Sequence, residues 1–347
     1  GEGNVVYEEM EVDGSNWYVS DPSEITAGLV AGGSSSSDII VTVRNSYVHN
    51  FNVNASQLFP IGVVAGGSAN TEVLVENITI ANNVNTGVVQ SLIIGSGLFD
   101  GGVSTAQISG RVRNVTINNS RSTSSSVTGI ILPVITGSTT AASLDLKNVT
   151  VTNLLAGGTS PFLANSSGAA IAVAAGAEDS ATASITVANV LLADNSVPGC
   201  LTADIGAALG VSGTVTTTIT SQGGNLADDT SCTSYFTHPA DQNNLTTLGT
   251  TLEALSDNGG FVPTAALKQR SPAVDSGITV AGLTQDARLA ARPQGSGYDS
   301  GAYESPFTKP AKQTGSSLAA TGENSLVYGA AAVILMVGGS MVLARRF

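Results

Sequence analysis

The sequence predicts an all-β fold of stacked parallel coils, about six in number, closed by a loop-rich C-terminal cap and followed by a linker and one transmembrane helix. Three observations predict it. A short cassette recurs five times; charged residues make up only 11% of a chain of 347 that carries 40 glycines and is visibly rich in Ser, Thr, Asn and Val; and an uncharged apolar run lies just before the C-terminus. Strong self-similarity at a fixed spacing points to a repeat architecture before any other reading.

The cassettes are centred on Asn45, Asn77, Asn114, Asn148 and Asn189, at spacings of 32, 37, 34 and 41 residues. Apolar residues stand two and four before each central Asn and one and three after it, as in Val73, Val75, Ile78 and Ile80. Eighteen of the twenty such positions are apolar, Ser46 and Gly110 being the exceptions. Alternation of this kind belongs to strands with one buried face, and here its parity flips at the Asn. A flip of parity is a corner. A single residue that turns one strand into the next with both apolar faces inward must leave the β region, and Asn tolerates the left-handed region better than other non-Gly residues. Each cassette is therefore two short strands meeting at an Asn bend.

A second apolar run trails each cassette, as at 87–95 and 129–137, and a sixth, weaker copy without its Asn lies at 211–222. Three strands of about five to six residues plus turns come to roughly 20–25 residues, so each repeat has room for one three-sided coil and an outward loop. Coils add about 4.8 Å each, so six make a core near 30 Å long. Residues 1–38 form a first coil or an opening cap, 39–224 the coils, 225–305 the cap and 306–317 a polar linker. Leucine-rich repeats require a period of about 20–29 residues and a leucine pattern that this chain lacks. Sandwich domains require about 100 residues each.

The cassettes resemble the right-handed parallel β-helix of pectin-lyase-like proteins, whose stacked Asn residues form a ladder inside one turn. Parallel crossovers also prefer that hand. From Leu191 to Glu304 a series of short signatures follows: Gly223-Gly224-Asn225-Leu226, Asp241-Gln242-Asn243-Asn244, Leu255 to Gly260, Ser271 to Gly277, Ala291-Arg292-Pro293-Gln294 and Asp299 to Glu304. Their order is similar to the C-terminal part of the choice-of-anchor Q domain family of bacterial surface β-helices. The run Thr284 to Arg288 departs from that family's usual tighter turn. In physical terms this segment is expected to cover the open end of the coil stack, which exposes unpaired backbone and an apolar cross-section. Cys200 and Cys232 either remain as two thiols or form one disulfide that closes a loop of about 30 residues, contributing roughly 3–4 kcal/mol in an exported protein.

The C-terminus carries three features in fixed order. Leu318, Ala319, Ala320, Thr321 and Gly322 precede an apolar segment, 326–343, and a basic end, Ala344-Arg345-Arg346-Phe347. Eighteen uncharged residues are just long enough to span a bilayer, and terminal arginines stay on the cytoplasmic side. This order resembles a cell-wall sorting signal of the Leu-Pro-x-Thr-Gly type, in the variant with Ala at the second position. The resemblance implies that a sortase cysteine attacks the Thr321 carbonyl and passes the acyl group to an amine of the peptidoglycan precursor, this chain being substrate and not enzyme. It further implies export through a single-pass membrane intermediate to the cell wall. The chain opens at Gly1 with no signal peptide, so a leader has been removed or the start lies upstream.

No catalytic residue, metal site or cofactor is expected. Polysaccharide-cleaving sites need carboxylates grouped on one coil face beside basic groups. Here Asp38, Arg44, Glu72, Glu76, Arg111, Arg113, Asp145, Lys147 and Asp194 are scattered singly, as on a solvated face with pairing across coils. Arg111 with Arg113 is a weak anion candidate and Asp228-Asp229 a weak calcium candidate, set in a turn. His49 and His238 have no ligand-type neighbours at useful spacing. Asn77-Ile78-Thr79 and Asn114-Val115-Thr116 match a glycosylation sequon, but corner geometry already accounts for them. A net charge of −13 argues against nucleic acid and anionic lipid as partners. The expected function is a non-enzymatic surface stem or adhesin-like module whose partners are sortase, peptidoglycan, the membrane before processing, and a host-cell, neighbouring-cell or glycan ligand. The alternatives are a surface polysaccharide lyase or glycosidase, and an inert spacer.

Overall fold

The computed structural model describes residues 3–33, 38–68, 70–97, 105–160, 163 and 165–309. The chain divides into two compact units, Gly1–Lys309 and Pro310–Phe347, and the second lies outside the described residues.

The first unit is a parallel β-solenoid of about six turns. Its long sheet runs in the order Gly3–Glu8, Ile39–His49, Thr71–Asn85, Ile108–Ser122, Thr140–Thr152, Ser180–Ala188 and Thr214–Gly223. A second sheet of six strands stacks Ile25–Gly33, Gln57–Ala65, Val88–Ser96, Val127–Thr136, Gly168–Ala177 and Cys200–Asp204. Every pairing between these neighbours is parallel. The first sheet-forming segments, Gly3–Glu8 and Glu11–Asp13, both pair with Ile39–His49, so the opening residues build a coil.

The inward columns follow directly from the cassette pattern. All eighteen apolar positions are at most 2% exposed, each contributing about 1.5–3 kcal/mol of burial. The two exceptions have specific compensations. The buried Ser46 hydroxyl donates to the Arg44 carbonyl at 2.8 Å and accepts from the Met10 amide at 3.1 Å. At Gly110 a Cβ would meet Leu144 Cδ2 at 2.6 Å, so the leucine of the next coil fills that space.

The corners lie in the left-handed region, with φ between 53° and 55° at Asn45, Asn77, Asn114, Asn148 and Asn189. Register extends the column at both ends. Glu9 (φ 52°) turns the first coil and Gly224 (φ 73°) the last. Glycine is required at 224 for a second reason: a Cβ there would lie 2.2 Å from Asn189 Oδ1. A further column, five residues on, holds Asn50, Asn82, Asn119, Asn153 and Asp194 at φ between 54° and 61°. Each of the five cassette coils therefore has two left-handed corners, of which the cassette pattern identifies one.

The expected single end cap is divided in two. Only the segment around Cys232 closes the stack: Cys232 and Phe236 are buried in the main core, with Tyr235 packed beside them. Residues 246–305 run instead along the side of the solenoid, back to the second coil. Thr79 Oγ1 donates to the Pro263 carbonyl at 2.6 Å, Asn114 Nδ2 to the Gln285 carbonyl at 3.0 Å, and the Ala302 amide to Thr150 Oγ1 at 2.9 Å. Tyr47 packs against Val262, Ala287 and Ala302. The reason lies in the outward residues just after each corner. Tyr47, Thr79, Thr116, Thr150, Leu191 and Leu226 carry no charge, so this face gains by being covered, whereas the charged face before the corner gains by solvation.

Candidate interaction face

The central Asn side chains form a continuous ladder down the solenoid. Asn77 Nδ2 donates to Asn45 Oδ1 at 3.0 Å, Asn114 to Asn77 at 3.1 Å, Asn148 to Asn114 at 3.5 Å and Asn189 to Asn148 at 2.9 Å. The strap of residues 246–305 terminates it. The Ile278 amide donates to Asn189 Oδ1 at 2.7 Å, and Asn189 Nδ2 also donates to the Ile278 carbonyl at 2.8 Å. The ladder is thus a scaffold that fixes register, since one face of each coil is buried and a slip would expose it.

The solvated face of the long sheet carries a trough of about 590 Å³ across six rungs, lined by Asn4, Asp38, Glu72, Ser109, Ser143 and Ser184 among others. A second hollow of about 280 Å³ shares Glu72 and those serines with it and adds Arg111 and Asp145. Several charges of this face are paired. Arg111 reaches Glu72 across one rung at 2.7 Å, Arg44 reaches Glu8 across another at 2.8 Å, and Lys147 meets Asp145 of its own strand at 2.9 Å. Thr186 also donates to Asp145 at 2.9 Å, and the Asp38 carboxylate accepts the Asn70 amide at 3.0 Å. Arg111 and Arg113 occupy different columns, and the first is committed to Glu72. What this face offers is an array of hydroxyls and compensated charges, suited to a polar ligand held by many weak contacts.

The remaining sequence candidates take structural places. Cys200 and Cys232 are joined in a disulfide with a Cα separation of 5.0 Å. Beside it the Asp229 carboxylate accepts the Gly199 amide at 3.0 Å and the Ser231 hydroxyl at 2.8 Å, which locks the turn that closes the end. His49 is buried, its Nε2 lying 3.0 Å from Glu11 and its ring stacked on Tyr47. His238 Nδ1 accepts the Ala240 amide at 3.1 Å. Among the described residues no group of three His, Cys, Asp or Glu is arranged to hold a metal ion. Leu318 to Gly322, the apolar segment 326–343 and the basic end 344–347 lie outside the described residues, as do 310–317 of the linker. Among the described residues no helix is long and apolar enough to cross a membrane.

Asp228 is the exception in its turn. Burial, with Asp229 and Asp194 nearby, pushes its carboxyl above the usual aspartate range, although the Asp194 amide donates to it. A carboxyl raised in the folded state costs stability at pH values above its folded pKa, and the cost is relieved as the pH falls through it. Asp228→Asn keeps an acceptor for the Asp194 amide and removes the charge. It is expected to raise the unfolding midpoint at pH 7, with the gain shrinking towards pH 4; an equal gain at both pH values would contradict the assignment.

Two features are not apparent in the cassette pattern. The first is the fully buried Arg292–Glu304 ion pair, 2.7 Å long, at the centre of the strap. Glu304 also accepts the Gln294 and Asp299 amides, while Asp286 holds Arg288, whose guanidinium lies 3.7 Å from the centre of the Tyr303 ring. The late signatures from Asp275 to Glu304 are therefore parts of one buried polar network. The second is an apolar groove of about 490 Å³ on the outer face of the second sheet, with Phe59, Ile93 and Ile131 on its floor. Both faces of that sheet are apolar, as its unbroken apolar runs indicate. The chain matches no family model, no curated protein and no solved structure.

Proposed function

We propose that the chain is a non-enzymatic bacterial surface protein, displayed on the cell wall as a β-helical stem with an adhesin-like interaction role. The observation that carries this reading is the order at the C-terminus: Leu318-Ala319-Ala320-Thr321-Gly322, then an uncharged stretch of 18 residues, then two arginines. A chain of this kind is exported, held by one membrane span, and transferred by a sortase from Gly322 to peptidoglycan through the Thr321 carbonyl. The solenoid is read as right-handed and pectin-lyase-like, the hand that parallel crossovers prefer. A disulfide-closed end suits an oxidising exterior, and the Arg111–Glu72 and Lys147–Asp145 pairs on the solvated face suit adhesion better than acid–base chemistry.

The test is the intact mass and C-terminal sequence of the protein released from native cells by wall hydrolases. The expected product ends at Thr321 with a wall fragment attached. A chain still ending at Phe347 and released by mild detergent alone would overturn covalent anchoring. Depolymerisation of an acidic polysaccharide by the purified protein, with or without calcium, would overturn the non-enzymatic reading.

A further inference from the structure

The Asn ladder has a direction, and among the described residues it ends at Asn45, beside the first coil. From Asn77 to Asn189 each Nδ2 donates toward the N-terminal neighbour, and the Ile278 amide closes the acceptor end at Asn189. At the Asn45 end is a cavity of about 330 Å³, between the first two coils and the strap, to which Asn45, Glu9, Glu11, Asp257, Tyr47 and Phe261 contribute. It brings together three carboxylates, two aromatic rings and one amide donor.

The charge balance differs from that of the trough. Glu9 and Asp257 form no ion pair among the described residues, although Arg44 lies within electrostatic reach of Glu9 and Asp257 accepts the Gly259 amide at 2.9 Å, and the ion-pair partner of Glu11 is His49. Burial, with Glu11 and Asp13 beside it, pushes the Tyr47 hydroxyl above its usual range, in keeping with a negative local field. Phe261 is 48% exposed at the rim, a large apolar surface open to solvent. The adjacent strand Glu11–Asp13 pairs with Ile39–His49, and its other edge is unpaired among the described residues.

We infer that this cavity binds a lysine or arginine side chain of an extended basic peptide segment, the cation lying among Glu9, Glu11 and Asp257 and its aliphatic stem against Tyr47 and Phe261. A cation with an apolar stem is the group that carboxylates and aromatic faces together recognise. Asn45, which lines the cavity, offers a side-chain amide to a carbonyl of the same peptide, and the edge of Glu11–Asp13 that is unpaired among the described residues offers main-chain pairing of the kind used in strand addition. The inference does not depend on how the chain is attached to the cell, because it uses only the first two coils and the strap.

The experiment is a calorimetric titration of the full chain, in nonionic detergent at low salt, with an end-capped hexapeptide of alternating alanine and lysine. The lysine peptide is expected to bind, and its glutamate counterpart to give no heat. The double variant E9Q/D257N should weaken binding by at least about tenfold, which corresponds to about 1.4 kcal/mol. Phe261→Ala should also weaken it, since this removes the wall for the stem and no charge. The control E178Q/D179N removes two exposed charges from a turn in a later coil and should leave binding unchanged. Equal weakening by the control would reduce the effect to net charge and overturn the site. So would an absence of binding by the lysine peptide, or equally tight binding of spermine, which has cations and no peptide backbone.

Discussion

Arg292→Met is expected to destabilise the strap by about 3–5 kcal/mol while leaving the coils folded. The cost is that of breaking a buried ion pair from one side. Arg292 and Glu304 are both fully buried, and the guanidinium also donates to the carbonyls of Asp299 at 3.2 Å and Gly301 at 2.8 Å. Without it, the Glu304 carboxylate retains two backbone amides but no cation, and two buried carbonyls lose a donor. Burial already pushes the Glu304 and Asp299 carboxyls up and the Arg292 guanidinium down, so the network holds only through mutual compensation. Hydrogen exchange should locate the effect: amides in 246–305 exchange faster, while those of the long sheet, whose inner face packs in the core it shares with the second sheet, do not. The double variant R292M/E304L removes both charges and should recover much of the loss. If the single variant cost less than about 1 kcal/mol, the pair would not be what holds the strap.

The pattern of apolar residues is sufficient for the coils because a coil stack repeats one local decision. Val73, Val75, Ile78 and Ile80 point inward for the same reason as their equivalents in every other cassette, and parity alone places the corner. The strap is not legible in that way. Its register against Thr79, Thr150 and Asn189 is set by a few hydrogen bonds between residues as far as 184 positions apart, and no periodicity encodes these. A signal is nonetheless present. The outward positions two residues after each cassette Asn are uncharged while those just before it carry Arg44, Glu76, Arg113 and Lys147, and a face without charge has to be covered by something. The second corner is also written in the chain, as the Asn or Asp five residues after each cassette centre. It stands at an exposed position whose neighbours show no parity flip of comparable clarity. The basic-peptide cavity is beyond reach of the sequence, because Glu9 and Asp257 come together only once the strap has folded back on the first coil.

The two corner columns allow backbone strain and side-chain ladder to be separated, and Asn148 is the position at which to do it. It is fully buried at φ 55°, accepts from Asn189 at 2.9 Å and donates to Asn114 at 3.5 Å. Asn148→Ala places a Cβ-bearing residue with no polar side chain in the left-handed region, at a cost of about 1–2 kcal/mol. It also leaves buried amide groups on the neighbouring rungs short of a partner, for a further 1–3 kcal/mol or so. The expected loss is therefore about 2–5 kcal/mol, read as a lower midpoint in denaturant at an unchanged slope. Asn148→Gly removes the ladder contacts but adopts the corner freely, so it should cost about 1 kcal/mol less than the alanine variant. Asn153 is the matched comparison: exposed, at φ 58°, in the second column. Asn153→Gly should change stability by less than about 0.5 kcal/mol, as ordinary surface substitutions do. If Asn148→Gly proved as mild as Asn153→Gly, the ladder would contribute nothing beyond its backbone corners, and the repeated Asn would be explained by conformation alone. If instead both Asn148 variants were equally damaging, side-chain pairing between coils would outweigh corner strain. The solenoid would then be held in register by a column of amides as much as by its apolar core.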